Sequence, residues 1–373
     1  KRVRARKIKD SRGEETIEVL LNGKKASAPS GKSKGKYETP SFRKSLDWNV
    51  KAINDVQFDL EINSFEDLEK VEQFIRKNFK LKDAKQFGAN ALFALESAIL
   101  KALAKEKKKE LWQIINPNAR KFPIPIGNSV GGGLHSSNKY KPEFQEFLII
   151  PKTKSPLKNY HTMKKNYDKL KKIITAVQKN DEGAWQTNLS NEEIFSLLSR
   201  FDIRVGTDIA SSSFYKNKKY IYKNKILDKE SQIKYVNGLI KKYNLFYIED
   251  PLHEEDFSGF SKIEKSDSHL VVGDDLTATQ ISRLKKAIEN KSINAMIIKP
   301  NQNGSLLELA EIFAICKKNK IKTILSHRSG ETLDDALADY AFGFEADFIK
   351  CGISTKWREV KLDRLCEIEK NAG

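Results

Sequence analysis

The feature of this sequence that most constrains its fold is a series of short apolar runs, each of which ends in a polar residue. Six such runs follow one another, at positions 201–208, 245–249, 270–274, 295–299, 323–327 and 346–350. Their last residues are 41, 25, 25, 28 and 23 positions apart, the length that a strand, a loop and a helix need in a parallel βα architecture. Because the runs are apolar almost throughout, we expect strands that are covered on both faces.

Two further strands are predicted upstream, one around Ile124 and one at 147–150. Eight strands in this arrangement suggest a closed α/β barrel of the TIM type. The competing architecture is a doubly wound open sheet, but no glycine-rich dinucleotide turn follows any of the predicted strands. The sequence therefore favours the barrel.

The first part of the chain has a different pattern, typical of an α+β domain. Strands are predicted at 2–8 and 16–21, with a hairpin turn at 22–23. Helices are predicted from Ser64, as N-cap, to Phe79, and over 88–105. Proline and asparagine residues between 116 and 125 indicate a boundary. We therefore expect an N-terminal domain at 1–118 and a barrel domain at 119–373.

The ends of the predicted barrel strands carry the candidate site, because catalytic groups of barrels lie at the carboxyl ends of the strands. In chain order these ends are Asp208, Glu249, Asp274, Lys299, His327 and Lys350. Three carboxylates form an oxygen-only ligand set, which suits Mg²⁺ or Mn²⁺ better than zinc. The alternative is that each acid caps the following helix. A cap explains Asp274 well, but it does not explain three acids in register followed by two lysines.

The charge of the chain is unusual, with 68 Lys and Arg against 50 Asp and Glu, a net charge of +18. Such a field attracts anions, either a phosphorylated metabolite or nucleic acid. The simplest interpretation is a lysine-rich solvated surface. Three tyrosines at 215, 220 and 222, among lysines, resemble a nucleic-acid surface only mildly. No run of about 18 apolar residues predicts a membrane span, and no signal-peptide stretch follows Lys1, so we expect a cytoplasmic protein.

A set of short motifs, which occur in order along nearly the whole chain, resembles the enolase family. The motifs lie at 9–13 (KDSRG), 30–33 (SGKS), 132–135 (GGLH), 145–147 (QEF), 181–183 (DEG), 248–251 (IEDP), 273–277 (GDDLT), 299–302 (KPNQ) and 326–331 (SHRSGE), together with Asp208 and Lys350. Each motif is weak alone, but the ordered set is highly specific. The resemblance implies an N-terminal α+β domain packed on a modified eight-stranded barrel whose second strand is antiparallel.

The resemblance also implies a function: the Mg²⁺-dependent interconversion of 2-phospho-D-glycerate and phosphoenolpyruvate in glycolysis and gluconeogenesis, with two Mg²⁺ ions at each site and a homodimer or higher oligomer. The implied ligands of the first Mg²⁺ are Asp208, Glu249 and Asp274, and Ser33 is expected to reach the second. Lys299 resembles the base, and Glu182, aided by Glu146, resembles the acid. The implied substrate-binding groups are His135, Gln145, His327, Arg328, Ser329 and Lys350.

Simple chemistry explains these residue types. The proton to be removed lies next to a carboxylate, so cations are needed to stabilise the charge that develops there. We expect neighbouring cations to lower the pKa of Lys299, and Glu146 to raise the pKa of Glu182 by repulsion. The planar fork of Arg328 suits a phosphate.

Two alternatives remain open from the sequence. The first is another acid dehydratase of the same superfamily, although such relatives generally lack the 326–329 motif. The second is a non-catalytic protein that binds RNA or an acidic partner through its basic surface.

Overall fold

The computed structural model describes residues 2–32 and 35–372, and the N-terminal part of this range is an α+β domain. It contains a three-stranded antiparallel sheet whose strands lie side by side in chain order. The strands are β1 (Arg4–Lys9), β2 (Glu15–Leu21) and β3 (Lys24–Ser27), and the helices are α1 (Leu46–Asp55), α2 (Leu68–Phe79), α3 (Ala89–Glu106) and α4 (Leu111–Ile115). The hairpin predicted at 22–23 joins β2 to β3.

Within the described residues, eight strands close into a barrel. They are β4 (Ile124–Gly131), β5 (Glu146–Ile150), β7 (Arg204–Asp208), β11 (Tyr247–Glu249), β12 (Leu270–Gly273), β13 (Ala295–Ile298), β14 (Lys322–Ser326) and β15 (Phe348–Lys350). The pairing of β15 with β4 closes the ring. The second strand, β5, is antiparallel to both β4 and β7, whereas the other neighbouring pairs are parallel. The predicted fold class, a TIM-like barrel with this modification, is confirmed.

The remaining elements surround the barrel or extend its loops. The helices are α5 (Pro156–Ile173), α6 (Asn191–Leu198), α7 (Lys229–Tyr243), α8 (Phe257–Phe260), α9 (Ile281–Glu289), α10 (Pro300–Asn303), α11 (Leu306–Lys318), α12 (Ala336–Gly343) and α13 (Lys356–Ala372). The short strands are β6 (Trp185–Gln186), β8 (Tyr215–Lys216), β9 (Lys219–Ile221) and β10 (Ile226–Leu227). Among the described residues, no helix combines the length and the apolar character that crossing a membrane requires.

Helix α3 connects the two parts of the molecule. It packs on β2 and β3 on one side and on α10 at the mouth of the barrel on the other. Nearly all of its residues from Ala89 to Ala104 are buried, which explains why its sequence is apolar on most faces rather than on one stripe. The helix predicted at 88–105 is confirmed, and it fixes the N-terminal domain next to the barrel mouth.

The start of helix α2 differs from the prediction. The helix begins at Leu68, and Asp67 rather than Ser64 precedes it. The Asp67 carboxylate accepts hydrogen bonds from the backbone N–H groups of Asn63 and Ser64. Ser64 therefore lies inside a turn that Asp67 closes, and its prediction as N-cap was wrong.

The interior of the barrel is a compact apolar layer. Inward-facing residues of the strands fill it, among them Ile126, Leu148, Val272, Ile297 and Ile324, all of them fully buried. This layer supports the carboxyl ends of the strands, where the side chains become polar.

Two of the three tyrosines at 215, 220 and 222 are buried and hydrogen-bonded. Tyr220 and Tyr222 are 1% and 5% exposed, and the Tyr222 hydroxyl donates to Gln232 while the Tyr220 hydroxyl accepts from the backbone of His253. Buried rings cannot stack on nucleic-acid bases, and the half-buried Tyr215 already packs against the rings of Tyr220 and His253. The segment therefore gives no support to the nucleic-acid interpretation.

Candidate active site

Most of the predicted site residues line one cavity of about 460 Å³ at the carboxyl ends of the barrel strands. They are His135, Gln145, Glu146, Glu182, Asp208, Asp274, Lys299, His327, Arg328, Ser329 and Lys350. Glu249 is fully buried next to this cavity and contacts Lys350. Ser33 lies outside the described residues, so its prediction is not tested.

A single lysine joins three carboxylates at the base of the cavity. Lys350 Nζ lies 2.7 Å from Glu249, 2.9 Å from Glu146 and 3.2 Å from Asp208. The register of the sheet produces this cluster, because Asp208 pairs with both Glu146 and Glu249 on its two neighbouring strands. All four side chains are at most 6% exposed. Burial alone would lower the pKa of Lys350, but the three carboxylates raise it well above the usual value.

A second ion pair lies beside this cluster. Lys299 Nζ is 2.5 Å from Asp274. Asp250 has a φ of +41°, and its carboxylate accepts the backbone N–H groups of Asp274 and Asp275. This strained residue at the end of β11 therefore orients the turn that carries Asp274.

The described residues contain two groups of three potential ligands whose atoms lie within 4.8 Å of one another: His135, Glu146 and Glu182, and Asp250, Asp274 and Asp275. The predicted trio of Asp208, Glu249 and Asp274 is not one of them. Two of its members bind Lys350 and the third binds Lys299.

The donor set nevertheless suits a hard cation. Glu249 Oε1 and Asp274 Oδ1 are buried and have no hydrogen-bond partner. A buried carboxylate oxygen without a donor is costly unless a cation serves it. Because these atoms are oxygens of adjacent strand ends, the residues present fit a divalent metal such as those that oxygen ligands prefer.

His135, Glu146 and Glu182 form a further cluster that shares Glu146 with the Lys350 cluster. His135 Nδ1 lies 3.4 Å from Glu146 and 3.6 Å from Glu182. Burial alone would lower the pKa of His135, but Glu182 and Glu146 raise it to about 9. Gly183 has a φ of +84°, and a Cβ there would come within 2.7 Å of Thr355. Glycine is therefore required for the Glu182 turn to pack this closely.

The expected rise in the pKa of Glu182 was wrong for this structure, whereas the expected lowering of the pKa of Lys299 by bound metals stays a prediction. Burial alone would raise the pKa of Glu182, but His135 and Arg358 lower it to about 2. The prediction considered Glu146 and missed these two cations. Burial alone would lower the pKa of Lys299, but the adjacent Asp274 raises it above the usual value. In both cases the nearest opposite charge dominates over like charges.

The predicted phosphate-binding residues lie at the end of β14. Arg328 Nη2 pairs with Glu38 at 3.0 Å, and Arg328 Nη1 donates to Asn301. The Ser329 hydroxyl accepts the backbone N–H of Lys32 at 2.7 Å. The loop that contains Lys32 is therefore bonded directly to the segment that carries Arg328 and Ser329.

Two charged residues that orient predicted site residues were not predicted. Glu38 orients Arg328, and Arg358 contacts His327 through Nε at 3.0 Å. Nothing in the spacing of Glu38 distinguishes it from other acids near a loop. Arg358 had a weak signal, because it is a charged residue on the side of α13 that also carries the buried Leu362 and Leu365.

The fold and this site define a class of protein: a two-domain α/β-barrel enzyme with carboxylates, lysines and a candidate divalent-metal site in the mouth of the barrel. Comparisons with known proteins agree. The family model described as "Enolase, C-terminal TIM barrel domain" matches residues 119–373, and that described as "Enolase, N-terminal domain" matches residues 1–115.

Curated relatives give the same result over nearly the full chain. A protein named "Enolase" from Archaeoglobus fulgidus is 35% identical over 392 residues, covering 98% of this chain and 96% of the relative. One from Sulfurisphaera tokodaii is 35% identical over 404 residues, covering 100% and 96%. One from Methanocorpusculum labreanum is 33% identical over 400 residues, covering 98% of each chain. The chain therefore belongs to the enolase family, whose members are lyases.

Proposed function

We propose that this protein catalyses the reversible dehydration of 2-phospho-D-glycerate to phosphoenolpyruvate. The observation that carries this proposal is the convergence of eleven predicted site residues on one cavity in a member of the enolase family. The cavity combines cations that suit a phosphate and a carboxylate with acids that suit proton transfer.

For the metal, we propose that Asp208, Glu249 and Asp274 hold one Mg²⁺ and that Ser33 reaches a second. The two unpartnered carboxylate oxygens of Glu249 and Asp274 support the first assignment. Bound Mg²⁺ would supply positive charge that stabilises the anion developing on the substrate carboxylate.

For proton removal, we assign Lys299 as the base. It extends from the end of β13 into the cavity and is 16% exposed, so its amine is accessible to a substrate but not to bulk water from all sides. A base in this position takes the proton from the carbon that bears the substrate carboxylate, which requires the neutral amine and therefore a lower pKa than the adjacent Asp274 gives Lys299 here.

For the departing hydroxide, we assign Glu182 as the acid, with Glu146 and His135 as its partners. Lys299 follows β13, whereas Glu182 lies next to β4 and β6. Strands β14 and β15 lie between β13 and β4 in the barrel. Base and acid therefore enter the cavity from different strands, so that each can reach one of two adjacent carbons of the substrate. Because its pKa is lowered to about 2, Glu182 is ionised in this structure, so the proton for the departing hydroxide would come to it from the protonated His135, whose Nδ1 lies 3.6 Å away.

For substrate binding, we assign Arg328 and Ser329 to the phosphate and Lys350, His327, Gln145 and His135 to the remaining oxygens. Arg328 offers a planar fork at the edge of the cavity. Lys350 contacts three carboxylates at the base of the cavity, and we assign it to the substrate carboxylate.

The direct test is the growth of ultraviolet absorbance when purified protein is mixed with 2-phosphoglycerate and Mg²⁺. We expect turnover that a chelator abolishes and that added Mg²⁺ restores. Turnover of a different acid but not of 2-phosphoglycerate would support the superfamily alternative. Salt-sensitive RNA binding without any turnover would support a non-catalytic role.

We further propose that the protein works in the cytoplasm as a homodimer or higher oligomer, with a domain division at 118/119. Light scattering coupled to size-exclusion chromatography tests the oligomer, and a mass equal to one chain would contradict it. Limited proteolysis near residue 118 tests the boundary.

A further inference from the structure

Arg358 is the largest fully buried side chain of the molecule among the described residues, and it lies directly behind the active-site wall. It is 0% exposed. Within residues 2–32 and 35–372, no carboxylate forms an ion pair with it. A buried guanidinium without a counterion is costly unless its donors are well used, so the contacts it makes indicate what it does.

Its donors go to three separate segments around the cavity. Nη2 donates to the carbonyl groups of Ser329 at 2.9 Å and Arg328 at 3.2 Å. Nη1 donates to the carbonyl of Asp181 at 3.4 Å and to the hydroxyl of Thr355 at 3.3 Å. The same guanidinium therefore joins the segment of the proposed phosphate ligands to the segment of the proposed acid.

The remaining donor acts on a ring nitrogen. Arg358 Nε lies 3.0 Å from His327 Nδ1. An arginine Nε always carries a hydrogen and cannot accept one, so Nδ1 of His327 must be the nitrogen without a proton. A neutral histidine in this contact then carries its hydrogen on Nε2. Burial and the charge of Arg358 lower the pKa of His327 well below its usual value, which keeps the ring neutral.

The space for Arg358 is provided by a glycine. A Cβ on Gly352 would lie 2.5 Å from Arg358 Cδ. The turn after β15 can therefore pass close to the side chain only because position 352 has none. A larger residue at position 352 would clash with Arg358 in its buried position.

We infer that Arg358 is a positioning residue that fixes His327 in the Nε2–H tautomer and holds the 328–329 segment in register with the 181–182 segment. Because Arg358 covers the Nδ1 side of the ring and His327 lines the cavity, Nε2–H is the donor offered to a ligand. The expected effect of Arg358 on turnover rests on the proposed function, whereas the tautomer of His327 does not.

The experiment compares the wild type with Arg358→Met, which keeps bulk but removes every donor, and with Arg358→Lys. Long-range nitrogen–proton NMR spectra of the imidazole groups report the tautomer directly. The chain has five histidines, and a His327→Gln variant identifies the signal of His327. We expect the Nε2–H pattern in the wild type at neutral pH and a mixed or Nδ1–H pattern in Arg358→Met.

The kinetic readout uses 2-phosphoglycerate. We expect kcat/KM to fall roughly a hundred-fold in Arg358→Met, the size that small misplacements of reacting groups cause, with partial recovery in Arg358→Lys. The matched control is Arg364→Met on the same helix, where the guanidinium pairs with Asp339 and Glu110 away from the cavity. It should lose stability and keep both the His327 signal and kcat/KM.

The inference is overturned if wild-type His327 shows the Nδ1–H or the doubly protonated pattern, or if Arg358→Met keeps the tautomer and keeps kcat/KM within about twofold. If Arg358→Met does not fold, the wild-type spectrum and Arg358→Lys still decide the point. If the wild type does not turn over 2-phosphoglycerate, the proposed function fails, whereas the spectra continue to test Arg358.

Discussion

The mouth of the barrel and its interior are adjacent regions of the same strands, but the interior buries apolar side chains and the mouth buries charged ones. The interior is a layer of aliphatic and aromatic side chains such as Ile297 and Tyr247. A few residues further along, the same strands end in buried charges that are held in clusters, with some carboxylate oxygens lacking any donor. Burial of the apolar layer stabilises the fold, and this stability offsets the cost of desolvated charges one layer above.

The difference teaches where function is located on such a scaffold. Within the described residues, the interior consists almost entirely of apolar atoms, and its one hydroxyl, on Tyr247, donates to Glu249 at the mouth. The mouth leaves buried polar atoms unsatisfied, which is the property expected of a site that completes itself with ligands. Breaking each region should therefore produce different losses.

The largest expected effect is on catalysis at the mouth. Lys299→Ala and Glu182→Gln should each lower kcat about a hundred- to ten-thousand-fold, the usual contribution of a positioned acid or base. Circular dichroism should show that the fold is retained. Lys285→Ala, an exposed change on α9, is the control and should be fully active. Retention of more than a tenth of the activity in both mouth variants would contradict the role assignments.

The next effect is on stability, at the charge cluster. Lys350→Met should lower the free energy of unfolding by about 3–5 kcal/mol, because it leaves buried carboxylates without their cation. Urea denaturation measures the change. The matched control is Lys152→Met, since Lys152 is 54% exposed and its partner Asp202 is 97% exposed. Water screens such an exposed pair, so its loss should change the stability little. Equal losses in the two variants would remove the distinction between the mouth and the surface.

A pH dependence should follow from His135. Its pKa rises from 6.5 in the unfolded chain to about 9 in the folded protein. A raised pKa stabilises the fold fully below pH 6.5, and this contribution disappears as the pH rises through 9. The wild type should therefore lose up to about 3 kcal/mol over this range that His135→Gln does not lose. Denaturation curves at both ends of the range test this, and parallel losses in the two proteins would exclude it.

The smallest effect is expected in the interior. Ile297→Val removes one methylene group from a fully buried position and should cost about 0.5–1.5 kcal/mol of stability. Because Ile297 has no polar atom to contribute, kcat/KM should stay at the wild-type value. A loss of activity larger than the loss of stability explains would show that the interior also tunes the mouth.

The sequence determined the barrel and most of the site. Apolar runs at regular spacing specify strands whatever their neighbours are, and in parallel strands of a closed sheet all the carboxyl ends meet at one mouth. Asp208, Lys299 and Lys350 could therefore be placed together from their positions alone. The antiparallel β5 was expected from the family resemblance rather than from its pattern.

Only the tertiary structure decided the pKa values of the site residues and the partners that orient them. The pKa of Glu182 depends on His135 and Arg358, which come from distant parts of the chain. Ser64 was the predicted N-cap of helix α2, but it lies in a turn that Asp67 closes. Electrostatic interactions depend on distances of a few ångströms, whereas sequence patterns specify only which face of an element a residue occupies. Periodicity therefore predicts where a charge lies, and only packing determines which partner it meets.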